Sequence, residues 1–230
     1  ATVLSLDKLN DDVIRLRLSI PESYEYLPGQ FLNLSNSAGV SRSYSLASVP
    51  GLDDFLELQI RVVPDGRVSG WIANDVLVGD VVTISQPSGE CSYLPGREQQ
   101  PLLLVGTGTG LAPLIGIARD AIRQGHSGPI NLYHGSSTAE GLYLLDELSR
   151  MDEANEVFHY HPCVSRGEVA DGVRAGRAAV IALQDFPALS GWRVFVCGRE
   201  DMVKALQKKS FLAGASMQDI FADPFIEAVS

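Results

Sequence analysis

The chain of 230 residues predicts two domains, an antiparallel β-barrel followed by an α/β domain on a parallel sheet. Three observations carry that expectation. Short alternating apolar and polar runs separated by turn residues fill the first hundred positions, as in a small barrel. From residue 101 onward, continuous apolar runs alternate with helical segments, the pattern of βαβ units. At the start of that second half stands Pro101-Leu102-Leu103-Leu104-Val105-Gly106-Thr107-Gly108-Thr109-Gly110-Leu111-Ala112-Pro113. Its apolar run suits a strand buried on both faces, and a glycine-rich turn then leads into a helix.

In the barrel half, Val13–Leu18 alternates apolar and basic side chains, the pattern of a strand with one wet face. Pro28-Gly29 turns into the alternating Gln30–Leu34, and Ser41–Ala47 and Phe55–Val63 are further strand candidates around the Pro50–Asp54 turn. Ser69–Val76 is expected as a short helix with Ser69 as its N-cap, followed by Val81–Ile84 as a strand. In the second half the strands fall at 102–105, 130–134, 156–160 and 193–197, and the helices at 110–124, 139–149, 168–175 and 200–213. Ala178–Leu183 fits either a helix or a loose connection. The boundary is placed near residues 95–100.

Composition narrows the functions. With 45% hydrophobic and 20% charged residues the chain is ordinary for a globular protein. No apolar run approaches the roughly 20 residues of a bilayer span, and the N-terminus lacks a signal-peptide pattern. A net charge of −10 argues against nucleic acid and anionic membrane as partners, although Lys204, Lys208 and Lys209 form a candidate basic patch. The cysteines Cys91, Cys163 and Cys197 are odd in number and far apart, which argues against a disulfide framework and fits a reducing, cytoplasmic setting. Three cysteines also exclude a four-cysteine iron–sulfur cluster within this chain. His159-Tyr160-His161 with Cys163 presents alternate residues on one strand face, but no fourth ligand is apparent and no metal site is expected.

Three places suit a phosphate-bearing, flat-ringed ligand. On a strand, Arg42 and Tyr44 share one face and Ser43 and Ser45 the other. A guanidinium pairs with phosphate oxygens and an aromatic ring packs beside a flat heterocycle, while a cross-strand Arg/Tyr pair on a wet sheet face explains the same residues without a ligand. The helix start at Gly66-Arg67-Val68-Ser69 suits a pyrophosphate or merely a capped helix. The turn Gly106-Thr107-Gly108-Thr109-Gly110 lets backbone N–H groups face an anion, although tight turns also carry glycine for steric reasons.

Together these segments resemble the ferredoxin–NADP reductase family. The matching features are Pro28-Gly29-Gln30-Phe31, Arg42–Ser48, Gly66–Ser69, Val105–Pro113, Val196-Cys197-Gly198 with Met202, and Asp223-Pro224-Phe225, in the family's order along the whole chain. The resemblance implies an antiparallel barrel holding FAD at residues 1–98 and a Rossmann-like NAD(P)-binding α/β domain at 99–230. By that likeness Arg42 meets the flavin phosphate, Ser43 and Tyr44 line the flavin, and Ser45 sits near N5. Gly66, Val68 and Ser69 then serve the pyrophosphate. Gly106, Thr107, Gly108, Thr109 and Gly110 face the nicotinamide nucleotide, with Cys197 and Gly198 beside its ring and Phe225 over the flavin face. Hydride passage needs the two rings within about 3–3.5 Å, so Ser45, Cys197 and Phe225 are the residues expected to act in the reaction, as positioning groups rather than nucleophiles.

Two departures stand out: Arg199 where the family often has proline, and a tail running five residues beyond Phe225 to Ser230. The absence of Lys or Arg from Pro129 to Ser149, together with Glu140, favours NADH over NADPH, with His134 and the serines at 136 and 137 as remaining partners for a 2′-phosphate. The resemblance is strongest to reductase components of bacterial oxygenases. It implies an enzyme that takes hydride from NADH onto FAD and passes single electrons to an iron–sulfur acceptor, either a separate ferredoxin or a fused one, serving an oxygenase. The start at Ala1-Thr2-Val3 suggests a fragment of a longer protein. The alternatives are a free-flavin reductase and a non-catalytic flavin-binding subunit.

Overall fold

The computed structural model describes residues 1–225. Six strands build the first half: β1 (Val3–Lys8), β2 (Val13–Ser19), β3 (Phe31–Ser35), β4 (Ser41–Ser45), β5 (Phe55–Arg61) and β6 (Thr83–Ile84). They form two antiparallel sheets, ordered β1-β2-β5 and β4-β3-β6. A bridge between Leu46 and Leu58 joins β4 to β5, and one between Thr2 and Val81 joins β6 to β1, which closes the ring. The alternation in sequence is the cause: Leu16, Leu18, Leu32, Leu34, Leu56 and Leu58 all point inward and are fully buried. Helix α1 (Ser69–Asn74) sends Ile72 into the same core.

The second half is a six-stranded, all-parallel sheet. Its elements run β7 (Leu102–Thr107), α2 (Leu111–Arg123), β8 (Ile130–Ser136), α3 (Leu145–Ala154), β9 (Phe158–Val164), β10 (Arg174–Ala175), α4 (Ala178–Asp185), β11 (Arg193–Arg199), α5 (Glu200–Leu212) and β12 (Ile220–Phe225). Sheet order is β10-β9-β8-β7-β11-β12. Leu102 and Leu104 pack with α2 and α3 on one face, while Leu103 and Val105 pack with α4 and α5 on the other. A strand covered on both sides must be apolar at every position, as 102–105 is.

Three expectations change. Residues 168–175 are turn and the short strand β10 rather than helix, because Gly172 within the segment and Gly167 and Gly176 at its borders adopt positive φ, which a helix cannot contain. The crossover helix is α4 instead, over the glycine-free Ala178–Asp185. Ser69 is the first residue of α1 and not its N-cap, which is Val68; its Oγ accepts a hydrogen bond from the Val63 N–H at 3.3 Å. The tail past Phe225 lies outside the described residues.

Candidate functional site

The chain leaves β7 toward β8, β9 and β10 on one side and returns to β11 and β12 on the other. The crevice between β7 and β11 is therefore the sheet's switch point, where ligands of open α/β sheets bind. At its mouth Gly106 lies opposite Cys197, and Cys197 opposite Asp223. The glycine-rich turn lies flat on β11 because Gly106 and Gly110 lack Cβ atoms. A Cβ on Gly110 would stand 2.3 Å from the Cys197 carbonyl oxygen, and one on Gly106 would stand 2.9 Å from the Gly110 carbonyl. Gly198, at φ 128°, is held by Thr107, whose Oγ1 would be 2.6 Å from an added Cβ. That Oγ1 is itself buried without a hydrogen-bond partner among the described residues, an unused polar group at the tip of β7.

On the barrel side, β4 runs beside β3 with Leu34 opposite Arg42, Asn33 opposite Ser43, Leu32 opposite Tyr44 and Phe31 opposite Ser45. Arg42 and Ser43 are exposed, Tyr44 is half-buried against the barrel core and Ser45 is buried. The Arg42 guanidinium donates to the Ser41 carbonyl at 2.8 Å, which leaves most of its planar fork open to solvent. Ser43 donates to Asn33 at 2.7 Å. Burial pushes the Tyr44 phenol up to about 12, so it stays a neutral ring. Gly66 folds tightly over the start of α1, where a Cβ would come within 2.3 Å of Ser69 Oγ.

The two halves meet through side chains. Ser45 donates to Asp223 Oδ2 at 3.4 Å, which ties β4 to β12. Burial raises the Asp223 carboxyl above its usual range, and the Ser45 hydroxyl opposes that shift. Cys91, at the end of the barrel half, lies with its Sγ 3.7 Å from that of Cys197. Burial holds the Cys197 thiol well above its ordinary value, with Cys91 and Asp223 adding to the shift. Tyr143 reaches from the segment before α3 to donate to Gln59 Oε1 of β5 at 2.9 Å, and it lies 3.2 Å from the Gly108 carbonyl. The barrel thus braces the glycine turn. Arg119 of α2 clasps Asp53 with two bonds of 2.8 and 2.9 Å. A cavity of about 270 Å³ opens between the halves, lined in part by Phe31, Cys91, Phe221 and Asp223.

The structure thus brings Ser45, Cys197 and the glycine turn to one crevice, with Arg42 and Tyr44 on the strand that ends at Ser45. Phe225 ends β12, half-buried and paired in register with Arg199. His134 is not a phosphate partner: it is fully buried, its Nδ1 lies 3.1 Å from the Tyr160 hydroxyl, and burial drops it to about 3. His161 stacks on Tyr133 and bonds Asn131, while His159 is exposed. Asp223, Gln59 and Tyr143 escaped the sequence reading as functional residues. Asp223 had one signal, its place two residues before the aromatic in Asp-Pro-Phe; the other two had none.

The donor set fits both expected nucleotides. An open guanidinium beside a neutral aromatic ring and a hydroxyl suits a flavin phosphate and ring. A Cβ-free cradle with an orphaned hydroxyl suits a nicotinamide nucleotide, whose amide and phosphates are hydrogen-bonding groups.

Comparison with known proteins agrees with that chemistry. The oxidoreductase FAD-binding domain family matches residues 1–93, and the oxidoreductase NAD-binding domain family matches residues 104–208. The ferredoxin–NAD(P)(+) reductase component of the naphthalene 1,2-dioxygenase system of Pseudomonas putida is 35% identical over 224 residues, covering 97% of this chain and 68% of that protein. Among solved structures, an Amycolatopsis cytochrome P450 reductase superposes with a TM-score of 0.90 at 34% identity, over 98% of this chain and 68% of the other. A ferredoxin NADP+ reductase from Neisseria gonorrhoeae, solved with FAD and NADP, gives 0.83 at 26% identity, over 97% and 96%. With its barrel, its parallel sheet and both cofactor domains in order, the chain belongs to the ferredoxin–NADP reductase family, and it is an FAD- and NAD-binding oxidoreductase.

Proposed function

We propose that this chain is the reductase of an oxygenase system, oxidising NADH and delivering electrons one at a time to an iron–sulfur protein. The observation that carries the reading is the row Gly106, Cys197, Asp223 at the switch point, joined to the flavin-side strand β4 by the Ser45–Asp223 hydrogen bond. Bound FAD would supply what no side chain here can, acceptance of a hydride pair and its release as single electrons.

The chain's own residues bind and orient. Arg42 would hold the flavin phosphate, Ser43 and Tyr44 would line the flavin, and Gly66, Val68 and Ser69 would hold the pyrophosphate by backbone groups. Ser45, kept in place by Asp223, would offer its hydroxyl to the reacting edge. Gly106 to Gly110 would seat the nucleotide, with the Thr107 hydroxyl taking a polar group of the nicotinamide. Cys197 and Gly198 would form the floor under that ring, and the protonated Cys197 thiol keeps a negative charge away from it. Phe225 would cover the flavin face. Residues 1–98 and 99–230 are the units proposed to hold the two cofactors.

Preference for NADH rests on the 2′ position. Glu140 is exposed beside Ser136–Thr138 at the end of β8, and a carboxylate there repels a phosphate. An opposing feature is Arg166, whose backbone N–H bonds the Ser137 carbonyl at 2.9 Å. The oxygenase partner is inferred from the relatives' roles.

The test is anaerobic titration of the FAD-loaded protein, first with NADPH and then with NADH, following the flavin band. Bleaching by stoichiometric NADH and slower bleaching by NADPH supports the reading; no bleaching by either sinks it. Loss of flavin on gel filtration, with NADH oxidation dependent on added flavin, would instead make this a free-flavin reductase.

A further inference from the structure

Cys91 and Cys197 are 106 residues apart in the chain and come from different halves of the molecule, yet their sulfurs are 3.7 Å apart. Both belong to the core cluster packed under α2, where they are neighbours. Cys91 belongs to the segment that leaves the barrel and is among the residues lining the cavity of about 270 Å³ between the halves. Cys197 lies on β11 directly under the glycine turn, whose Gly110 rests on its carbonyl. The third cysteine, Cys163, sits in β9 among the residues packed under α4, in a different core cluster from the other two. A disulfide between them requires the 3.7 Å between the sulfurs to close to about 2.05 Å.

We propose that Cys91 and Cys197 form a hydroperoxide-driven disulfide that staples the barrel to β11 and takes the Cys197 thiol out of the nicotinamide floor. The order of events follows from access. Cys91 is 6% exposed and faces the cavity, whereas Cys197 is fully buried and, by its burial, keeps its proton. The Cys91 sulfur attacks one peroxide oxygen; the O–O bond breaks, a sulfenic acid forms and one water leaves. The Cys197 sulfur then attacks the Cys91 sulfur, the S–O bond breaks, and the hydroxyl departs with the Cys197 proton as a second water. Two thiols thereby lose two electrons and two protons, and one hydrogen peroxide becomes two waters. The site's effect on turnover rests on the proposed role of Cys197 beside the nicotinamide; the formation of the bond does not.

The experiment treats reduced, FAD-loaded protein with hydrogen peroxide, stops it with catalase, and follows peptides and activity in parallel. Trypsin releases Cys91 in residues 68–97, Cys197 in 194–199 and Cys163 in 151–166, so each thiol is read separately. The expected result is a linked 68–97/194–199 species, two hydrogens lighter than its parts, that dithiothreitol removes. NADH oxidation with an artificial acceptor should fall in step with that species and return with the reductant. Cys91→Ser should keep the untreated rate and resist peroxide, while Cys163→Ser should remain as sensitive as the parent.

The absence of the linked peptide in the parent protein overturns the site, whatever the variants do. Linkage without loss of activity overturns the control function. Untreated protein that fails to oxidise NADH refutes the reductase reading instead, and the mass measurement still decides the disulfide.

Discussion

The barrel half and the α/β half present their ligand surfaces in opposite ways. On β4, the proposed recognition is by exposed side chains, the Arg42 fork above all, projecting from a strand whose partner Leu32 and Leu34 are fully buried. At the mouth of β7, the proposed recognition is by backbone, a glycine-rich turn pressed so closely on β11 that Gly110 has no room for a methyl group. The difference teaches where each half tolerates change. A side-chain site loses affinity when altered and keeps its fold; a backbone cradle loses both together.

The largest effect expected from that contrast is on the barrel side. Arg42→Ala should weaken FAD binding about 10- to 100-fold, since a charge-assisted pair is worth about 1.5–3 kcal/mol, while the melting temperature of the apoprotein stays unchanged. Fluorescence titration of apoprotein with FAD measures the first and calorimetry the second. A large drop in apoprotein stability would erase the distinction between the halves.

Gly110→Ala is the counterpart. The added Cβ meets backbone atoms of Cys197 and Gly198 that cannot swing aside, so stability should fall by about 1–3 kcal/mol, and NADH affinity with it. Denaturant melts and NADH titration together test this; an affinity loss at unchanged stability would contradict a rigid cradle.

Tyr143→Phe sharpens the comparison at the seam. The phenol is fully buried, burial keeps it protonated, and it spans the barrel's Gln59 and the turn's Gly108. Its loss leaves buried oxygens unpaired, at about 1–2 kcal/mol. Because Gly108 belongs to the proposed NADH cradle, KM for NADH should rise while FAD affinity does not. Equal effects on both cofactors would show that Tyr143 stabilises the whole and braces neither half.

The smallest effect is a pH dependence at Asp223. Its carboxyl titrates above the ordinary aspartate value of about 3.9, so the folded protein binds that proton more tightly than the unfolded chain. Stability from this group is therefore present below the ordinary value and falls as pH rises through the window up to the raised one. Asp223→Asn should accordingly melt higher than the parent at neutral pH, with the difference vanishing at pH below about 3.9. A variant less stable at neutral pH would mean that the Ser45 bond outweighs the cost of burial.

What the sequence made legible divides along the same line. Strands such as Val13–Leu18 were readable because one wall of the barrel faces water and imposes alternation, and 102–105 because two helical layers cover it. Arg42 and the glycine turn stood out because their chemistry is local. The bracing contacts were illegible, since Gln59 and Tyr143 are 84 residues apart and Ser45 and Asp223 are 178 apart. No local pattern encodes such pairs. The cysteines are free thiols, in line with their odd number and wide spacing, but distance along the chain said nothing of Cys91 and Cys197 lying side by side. The helix expected at 168–175 fails for a local reason, the positive φ of Gly172 within it and of Gly167 and Gly176 at its borders.

The central claim is that the glycine turn and Cys197 hold NADH with one face toward the flavin site of the barrel. The most direct measurement is single-turnover flavin bleaching with NADH deuterated at C4 in one or the other configuration. A fixed stacked pose predicts that deuterium slows bleaching in one configuration and not in the other. Equal slowing by both labels, or by neither with bleaching still complete, would contradict it.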